Sequence, residues 1–391
     1  MNATLAVATS GQALVYCEVR EASVAVEAGR WRLLRNTDET ALVPPVSCPK
    51  MSSSRPFGNH SRRHCRYVMK HHLFLAFRKV CFLFLIPLHF AFAAAPSPNW
   101  QQLNPKQSPP ERYYPAMAYD AVSGKVLLFG GFGGTDYLND TWTFDGTGWS
   151  RIDTPIAPSA RVNMQMAYDR RSHRIVLFGG FDGEFLNDTW TWDGTNSTWS
   201  QATPNHSPQP VNGAAVFADP KGRVDIFGGF NGMIYLSQMF QWNGKDWQKL
   251  TPPTLPYGRS DAGLGVDTHS GKVVIFGGLN DTVNPTNTWV YDGSNWTLET
   301  PRTQPIWLYG SAGVFDPNLH SVILFGGGSG GVQQNATWAW IGSDWKQVFT
   351  AQSPSPREGA GIAWDAVLGH VILFGGGDNN NLFSDTWELT P

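Results

Sequence analysis

Lys125-Val126-Leu127-Leu128-Phe129-Gly130-Gly131 is the stretch on which the fold turns. Apolar and β-branched residues favour an extended backbone, and a diglycine ends the strand where a side chain would obstruct neighbouring backbone. The phrase Phe-Gly-Gly recurs at Phe129, Phe178, Phe227, Phe276, Phe325 and Phe374, each 49 residues after the last. Upstream of it stands a strand ending in aspartate, as in Met117-Ala118-Tyr119-Asp120 and Ala363-Trp364-Asp365. Downstream, a variable loop leads to a third strand, as in Asn139-Asp140-Thr141-Trp142, Asn187-Asp188-Thr189-Trp190 and Asp385-Thr386-Trp387. A turn then gives a fourth strand carrying Trp149, Trp199, Trp247, Trp296 or Trp345. The second strands are continuously apolar instead of alternating, which is expected when neighbours cover both faces.

Two copies depart from the pattern. The third has Ser237-Gln238-Met239-Phe240 where Asp-Thr-Trp would stand, and the fifth has Asn335-Ala336-Thr337-Trp338. A period near 50 with a diglycine after an apolar strand resembles the kelch repeat, a four-stranded unit that forms one blade of a propeller. The resemblance covers 94–391 and implies an all-β fold, a six-bladed kelch-type β-propeller. The sixth copy stops after Trp387-Glu388-Leu389, short of a fourth strand. Asn99-Trp100-Gln101-Gln102-Leu103 matches the fourth strand Asp246-Trp247-Gln248-Lys249-Leu250, so the N-terminal strand is expected to complete the last blade and close the ring. Closure of this kind removes an open sheet edge.

Composition agrees with one β-rich domain: 41 Gly, 27 Pro and 17 Trp with only 15% charged residues. Charge divides unevenly along the chain. Residues 1–93 carry 12 Lys+Arg against 5 Asp+Glu, a balance of +7, and residues 94–391 carry 17 against 26, a balance of −9. An acidic body without a basic stripe argues against nucleic acid as a partner. Cys17, Cys48, Cys65 and Cys81 all precede the repeats, which therefore contain neither disulfide nor cysteine-ligated metal.

The segment 69–93 has the pattern of a secretory signal. Arg78 and Lys79 supply its positive region, Val80 to Phe92 its apolar core, and Ala91-Phe92-Ala93 the small-x-small cleavage site. The apolar run is 13 residues long and interrupted by Pro87 and His89, whereas a membrane-spanning helix needs about 20. The expected mature product starts at Ala94, is secreted or periplasmic, and has no membrane span after cleavage. Residues 1–68 are expected to be an unstructured extension or the product of a start placed upstream of Met69.

A propeller is a scaffold, and its fold alone fixes no activity. Arg112, Arg161, Arg259 and Arg357 recur at multiples of 49, and such periodicity points to architecture, with guanidinium groups bonding loop carbonyls. Two residues further on, the blades diverge: Tyr114, Asn163, Asn212, Asp261, Gly310 and Gly359. Tyr113, Ser260, Tyr309 and Glu358 lie beside them, with Trp307 just upstream. The candidate ligand-binding residues are therefore Tyr113, Tyr114, Asn163, Asn212, Asp261, Tyr309 and Glu358, since aromatics among amides and carboxylates suit a sugar or a peptide. The Asn-Asp-Thr-Trp carboxylates lack the alternating oxygens of a calcium loop and are expected to stabilise turns. His173, His269, His320 and His370 fall in turns of the opposite face, on different blades. No metal and no cofactor is expected.

The leading functional expectation is an exported, non-enzymatic module that binds glycan or protein at one face. Copper radical oxidases of the galactose-oxidase type share the kelch propeller but need a Tyr–Cys crosslink, which a body without cysteine excludes. A sialate mutarotase, a six-bladed kelch enzyme acting on a sugar ring, is the enzymatic alternative, with Glu358 beside Arg357 as the candidate acid/base group.

Overall fold

The computed structural model describes residues 97–281 and 285–391, together with the backbone of four strands between Ala3 and Arg35. The chain divides into two compact units, Met1–Leu88 and His89–Pro391. In the first, Ala3–Val7, Ala13–Val19, Ala22–Glu27 and Arg30–Arg35 pair in sequence order as an antiparallel meander. Sequence reading gave 1–68 no fold, yet these runs hold valine, leucine and tyrosine enough to favour extended backbone. The signal expected at 69–93 lies outside the described residues.

The second unit is built of six four-stranded antiparallel sheets and one two-stranded ribbon, Gly328–Ser329 with Val332–Gln333, and no helix occurs among its described residues. Blade one runs Ala116–Asp120, Lys125–Phe132, Tyr137–Phe144, Trp149–Ile152, paired in that order. Blades two to five repeat the pattern from Gln165–Asp169, Ala215–Ala218, Gly263–Asp267 and Ala312–Asp316. In the sixth sheet Gly361–Asp365, His370–Phe374 and Thr386–Thr390 are followed by Asn99–Leu103, with Trp100 opposite Leu389.

The core lies between blades, which is why the second strands are apolar on both faces. Leu127 and Phe129 pack towards blade two against Met166, Ile175 and Leu177, while Val126 and Leu128 pack towards blade six against Ile372 and Phe374. The fourth-strand tryptophans tie each blade to the one before it. Trp149 Nε1 donates to Thr386 Oγ1 at 2.9 Å, Trp199 to Thr141 at 3.0 Å, and Trp247 to Thr189 at 2.8 Å. Trp345 bonds Thr288 at 2.8 Å, and Trp100 bonds Thr337 at 2.9 Å. Blade three has Met239 in place of the threonine, and Trp296 Nε1 is accordingly buried without a partner.

Blade three also breaks the apolar rule. Asp225 stands inside its second strand, fully buried, and accepts Gln241 Nε2 at 2.7 Å. Its other oxygen has no partner, and burial pushes the carboxyl up to about 7.

Candidate functional site

The face that gathers the diglycine loops is held by the recurring arginines. Arg112 is fully buried; its Nη1 donates to Gly130 O at 3.0 Å, and its two terminal nitrogens take both oxygens of Asp140 at 2.7 and 2.8 Å. Arg161 grips Asp188 and Gly179 O, and Arg357 grips Asp385 and Gly375 O, in the same way. The same carboxylates accept the indole N–H of Trp142, Trp190 and Trp387. The aspartate of Asn-Asp-Thr-Trp is therefore an arginine anchor, a more specific role than the turn stabiliser expected from sequence. Burial alone would raise the Asp140 carboxyl, but the hydrogen bonds and charge of Arg112, with the Trp142 indole N–H, together hold it below its ordinary range.

Where the arginine is lost, the aspartate is lost with it: Val211 accompanies Gln238 in blade three, and Leu308 accompanies Ala336 in blade five. Blade four keeps Arg259 but offers Asn287. Arg259 Nη1 reaches Asn287 Oδ1 at 3.0 Å, while Arg259 Nη2 and Trp289 Nε1 are left buried and unpartnered. Burial without a counter-charge pushes Arg259 down to about 10. The diglycine is required here as well, because a Cβ on Gly179 would meet Val211 O of the next blade at 2.7 Å.

Two residues beyond the arginine row the backbone closes a ring. The N–H of Asn163 donates to Tyr114 O, Gly213 to Asn163 O, Asp261 to Gly213 O, Gly310 to Asp261 O, Gly359 to Gly310 O, and Tyr114 to Gly359 O, at 2.7–3.2 Å. Each blade contributes one residue, and all six have positive φ, between 49° and 62°. The 49-residue period puts Asn212 in register with Tyr114, Asn163 and Asp261, but the structure puts Gly213 there. The hairpin between the first two strands of blade three is one residue shorter, since Ala215 pairs with Phe227 where Gln165 pairs with Phe178. Asn212 instead joins the outer row of Tyr113, Val162, Ser260, Tyr309 and Glu358, each bridged to the loop after its own diglycine.

Three ring positions are glycine, the residue suited to that backbone, and of the three that carry side chains, Tyr114 and Asp261 lie across the glycines. A Cβ on Gly359 would stand 2.9 Å from the Tyr114 ring, one on Gly310 would strike Tyr114 Oη, and one on Gly213 would stand 2.7 Å from Asp261 Oδ1. Asn163 Nδ2 donates to Asp261 Oδ1 at 2.8 Å and Ser260 Oγ to Asp261 Oδ2 at 2.6 Å. In the outer row Tyr113 Oη donates to Glu358 Oε1 at 2.5 Å, and Tyr113 packs edge-on to Tyr114 at 4.3 Å. Tyr309 lies against Trp307 at 5.3 Å.

Thus Tyr113, Tyr114, Asn163, Asp261, Tyr309 and Glu358 gather at one mouth. Burial raises the carboxyls of Asp261 and Glu358 against the lowering effect of their neutral hydrogen-bond donors. Burial raises the Tyr113 and Tyr114 phenols too, helped most by Glu358 for the first and by the Asp261 charge for the second. Behind the ring, the six inner strands enclose a channel of about 430 Å³, walled by Met117, Tyr119, Met166, Tyr168, Leu264 and Trp364, with Tyr114 and Asp261 at its ring end. The turn histidines stand elsewhere: His269 packs on His320 at 4.9 Å, and His370 pairs with Glu388 at 2.8 Å. Among the described residues no cluster of metal-ligating side chains occurs.

Sequence reading missed the ring itself. A signal was present, since glycine, asparagine and aspartate recurring at one repeat position mark left-handed backbone, whereas Tyr114 gives none.

Residues 90–254 match the family model described as the KLHDC2/KLHL20/DRC7 Kelch-repeats domain. Among curated proteins, none matches the chain. With six blades, each marked by its diglycine and braced by the same strand order, the chain carries a six-bladed β-propeller of kelch repeats.

Proposed function

We propose that the propeller is an interaction module that engages a protein partner on its ring face, and that the chain is exported. One observation carries the first half. A left-handed backbone costs a residue other than glycine roughly 1–2 kcal/mol, least for asparagine and aspartate, yet three of the six ring residues keep side chains there. A scaffold needs one answer six times, whereas a site assembled once from six blades needs different ones. The loops of the same face also leave Ile156, Met233, Ile234, Tyr257, Ile306 and Val332 exposed, apolar side chains available to a protein partner.

Arrays of peptides and glycans probed with the full chain test this reading. Peptide capture that falls at least about tenfold in Tyr114→Ala, with folding retained, supports it; capture of glycans alone replaces the protein partner with a sugar. Export rests on the charge and apolar pattern of 69–93. N-terminal sequencing of protein recovered outside the cytoplasm should begin within two residues of Ala94, and peptides from 1–68 in that material would contradict it.

A further inference from the structure

Two carboxyl groups stand at the ring mouth, and among the described residues neither is paired with a positive side chain. Glu358 is 8% exposed; its Oε1 is held by the Tyr113 hydroxyl, and its Oε2 is buried with no donor in hydrogen-bonding geometry, the Gln333 side-chain amide being close by. Asp261 is held only by neutral donors, Asn163 Nδ2 and Ser260 Oγ. The arginines beside these residues in the chain cannot serve. Arg112 and Arg357 turn inward to Asp140 and Asp385, and Arg259 turns to Asn287 and Gly277 O.

We infer that this mouth receives a positively charged group, the guanidinium or ammonium of an arginine or lysine side chain on the partner. The inference rests on the protein-interaction reading and supplies its chemistry. Carboxylates taken from water without a counter-ion are costly, and an incoming cation offsets that cost at both groups. The rings of Tyr113, Tyr114, Tyr309 and Trp307 add the negative faces on which such cations settle. Glu358 is answered only by neutral side chains, the Tyr113 hydroxyl and the Gln333 amide, so its charge is left for a partner's cation. An anionic or acceptor-rich ligand would instead face two unanswered carboxyls. At longer range the repeats hold 17 Lys+Arg against 26 Asp+Glu, a field that draws cationic partners and repels acidic ones.

The full chain should be immobilised and challenged with four pools of end-blocked random peptides, the central residue fixed as arginine, lysine, glutamine or glutamate. The arginine and lysine pools should be retained about tenfold better than the glutamine pool, the order of one buried charge pair. High salt should narrow that gap. Glu358→Gln and Asp261→Asn keep shape and remove charge, so each should reduce the preference at an unchanged near-ultraviolet circular dichroism spectrum. Should either variant fail to fold, the parent's pool preference and its salt dependence still decide. Equal retention of the four pools, a preference for glutamate, or parental preference in both folded variants overturns the cation inference and leaves the interaction reading standing. No retention of any pool counts against both.

Discussion

At the scale of single residues, the account rests on how buried polar groups find partners. Four arginines sit at 0–2% exposure, and three are answered by a carboxylate. The fourth, Arg259, faces Asn287 and leaves one donor orphaned beside the orphaned Trp289 Nε1. Asn287→Asp restores the arrangement of the other blades and gives both donors an acceptor. It should stabilise the protein by about 1–3 kcal/mol, which in thermal melting is roughly 2–4 °C per kcal/mol. A lower melting temperature would mean that the arginine–aspartate pairs are not what braces the loops. Asp225 makes the opposite case. Its folded value of about 7 lies above the ordinary carboxylate value, so the folded chain binds that proton more tightly than the unfolded chain does. The stability it confers is complete below about pH 4 and is lost as pH rises towards 7, by at most about 1.4 kcal/mol per pH unit. Asp225→Asn removes that loss: relative to the parent, its melting temperature should climb between pH 5 and pH 8. A constant difference across that range would contradict the assignment.

At the scale of strands, the repeat explains both what was legible and what was not. The second strands and their diglycines were readable because each must pass between two neighbours, and neighbouring backbone leaves no room for a Cβ at Gly179. The tryptophan of each fourth strand was readable for the same reason. Its partner was not, because Trp199 and Thr141 are 58 positions apart and belong to different blades. Asn212 was misplaced by one residue because a shortened hairpin and a lengthened linker cancel, leaving the diglycine period intact. Strand Asn99–Leu103 can be tested as a unit. Its Trp100 is fully buried and bonds Thr337 of the neighbouring blade. Losing such a tryptophan costs about 3–5 kcal/mol, against a total stability of about 5–15 kcal/mol. Deleting 99–103 should therefore lower the melting temperature sharply or cause aggregation, and an unchanged melt would show that this strand does not hold the sixth blade.

At the scale of the propeller, six near-identical blades converge on a ring that is not identical. Architecture dictates a left-handed residue from every blade, and glycine meets that demand at Gly213, Gly310 and Gly359. Tyr114, Asn163 and Asp261 meet it with side chains that fill the mouth, and Asp261 adds a buried carboxyl without a counter-charge. If that carboxyl serves a partner, removing its charge should relieve the fold while abolishing recognition. The most direct measurement is the melting temperature of Asp261→Asn set beside its capture of arginine-centred peptides. This change removes the charge but keeps an acceptor for Asn163 and suits the left-handed backbone. The account predicts a melting temperature equal to or above the parent's, with capture reduced about tenfold or more. A lower melting temperature would make Asp261 a structural residue, and parental capture would place recognition elsewhere; either result contradicts the claim that this mouth is the binding site.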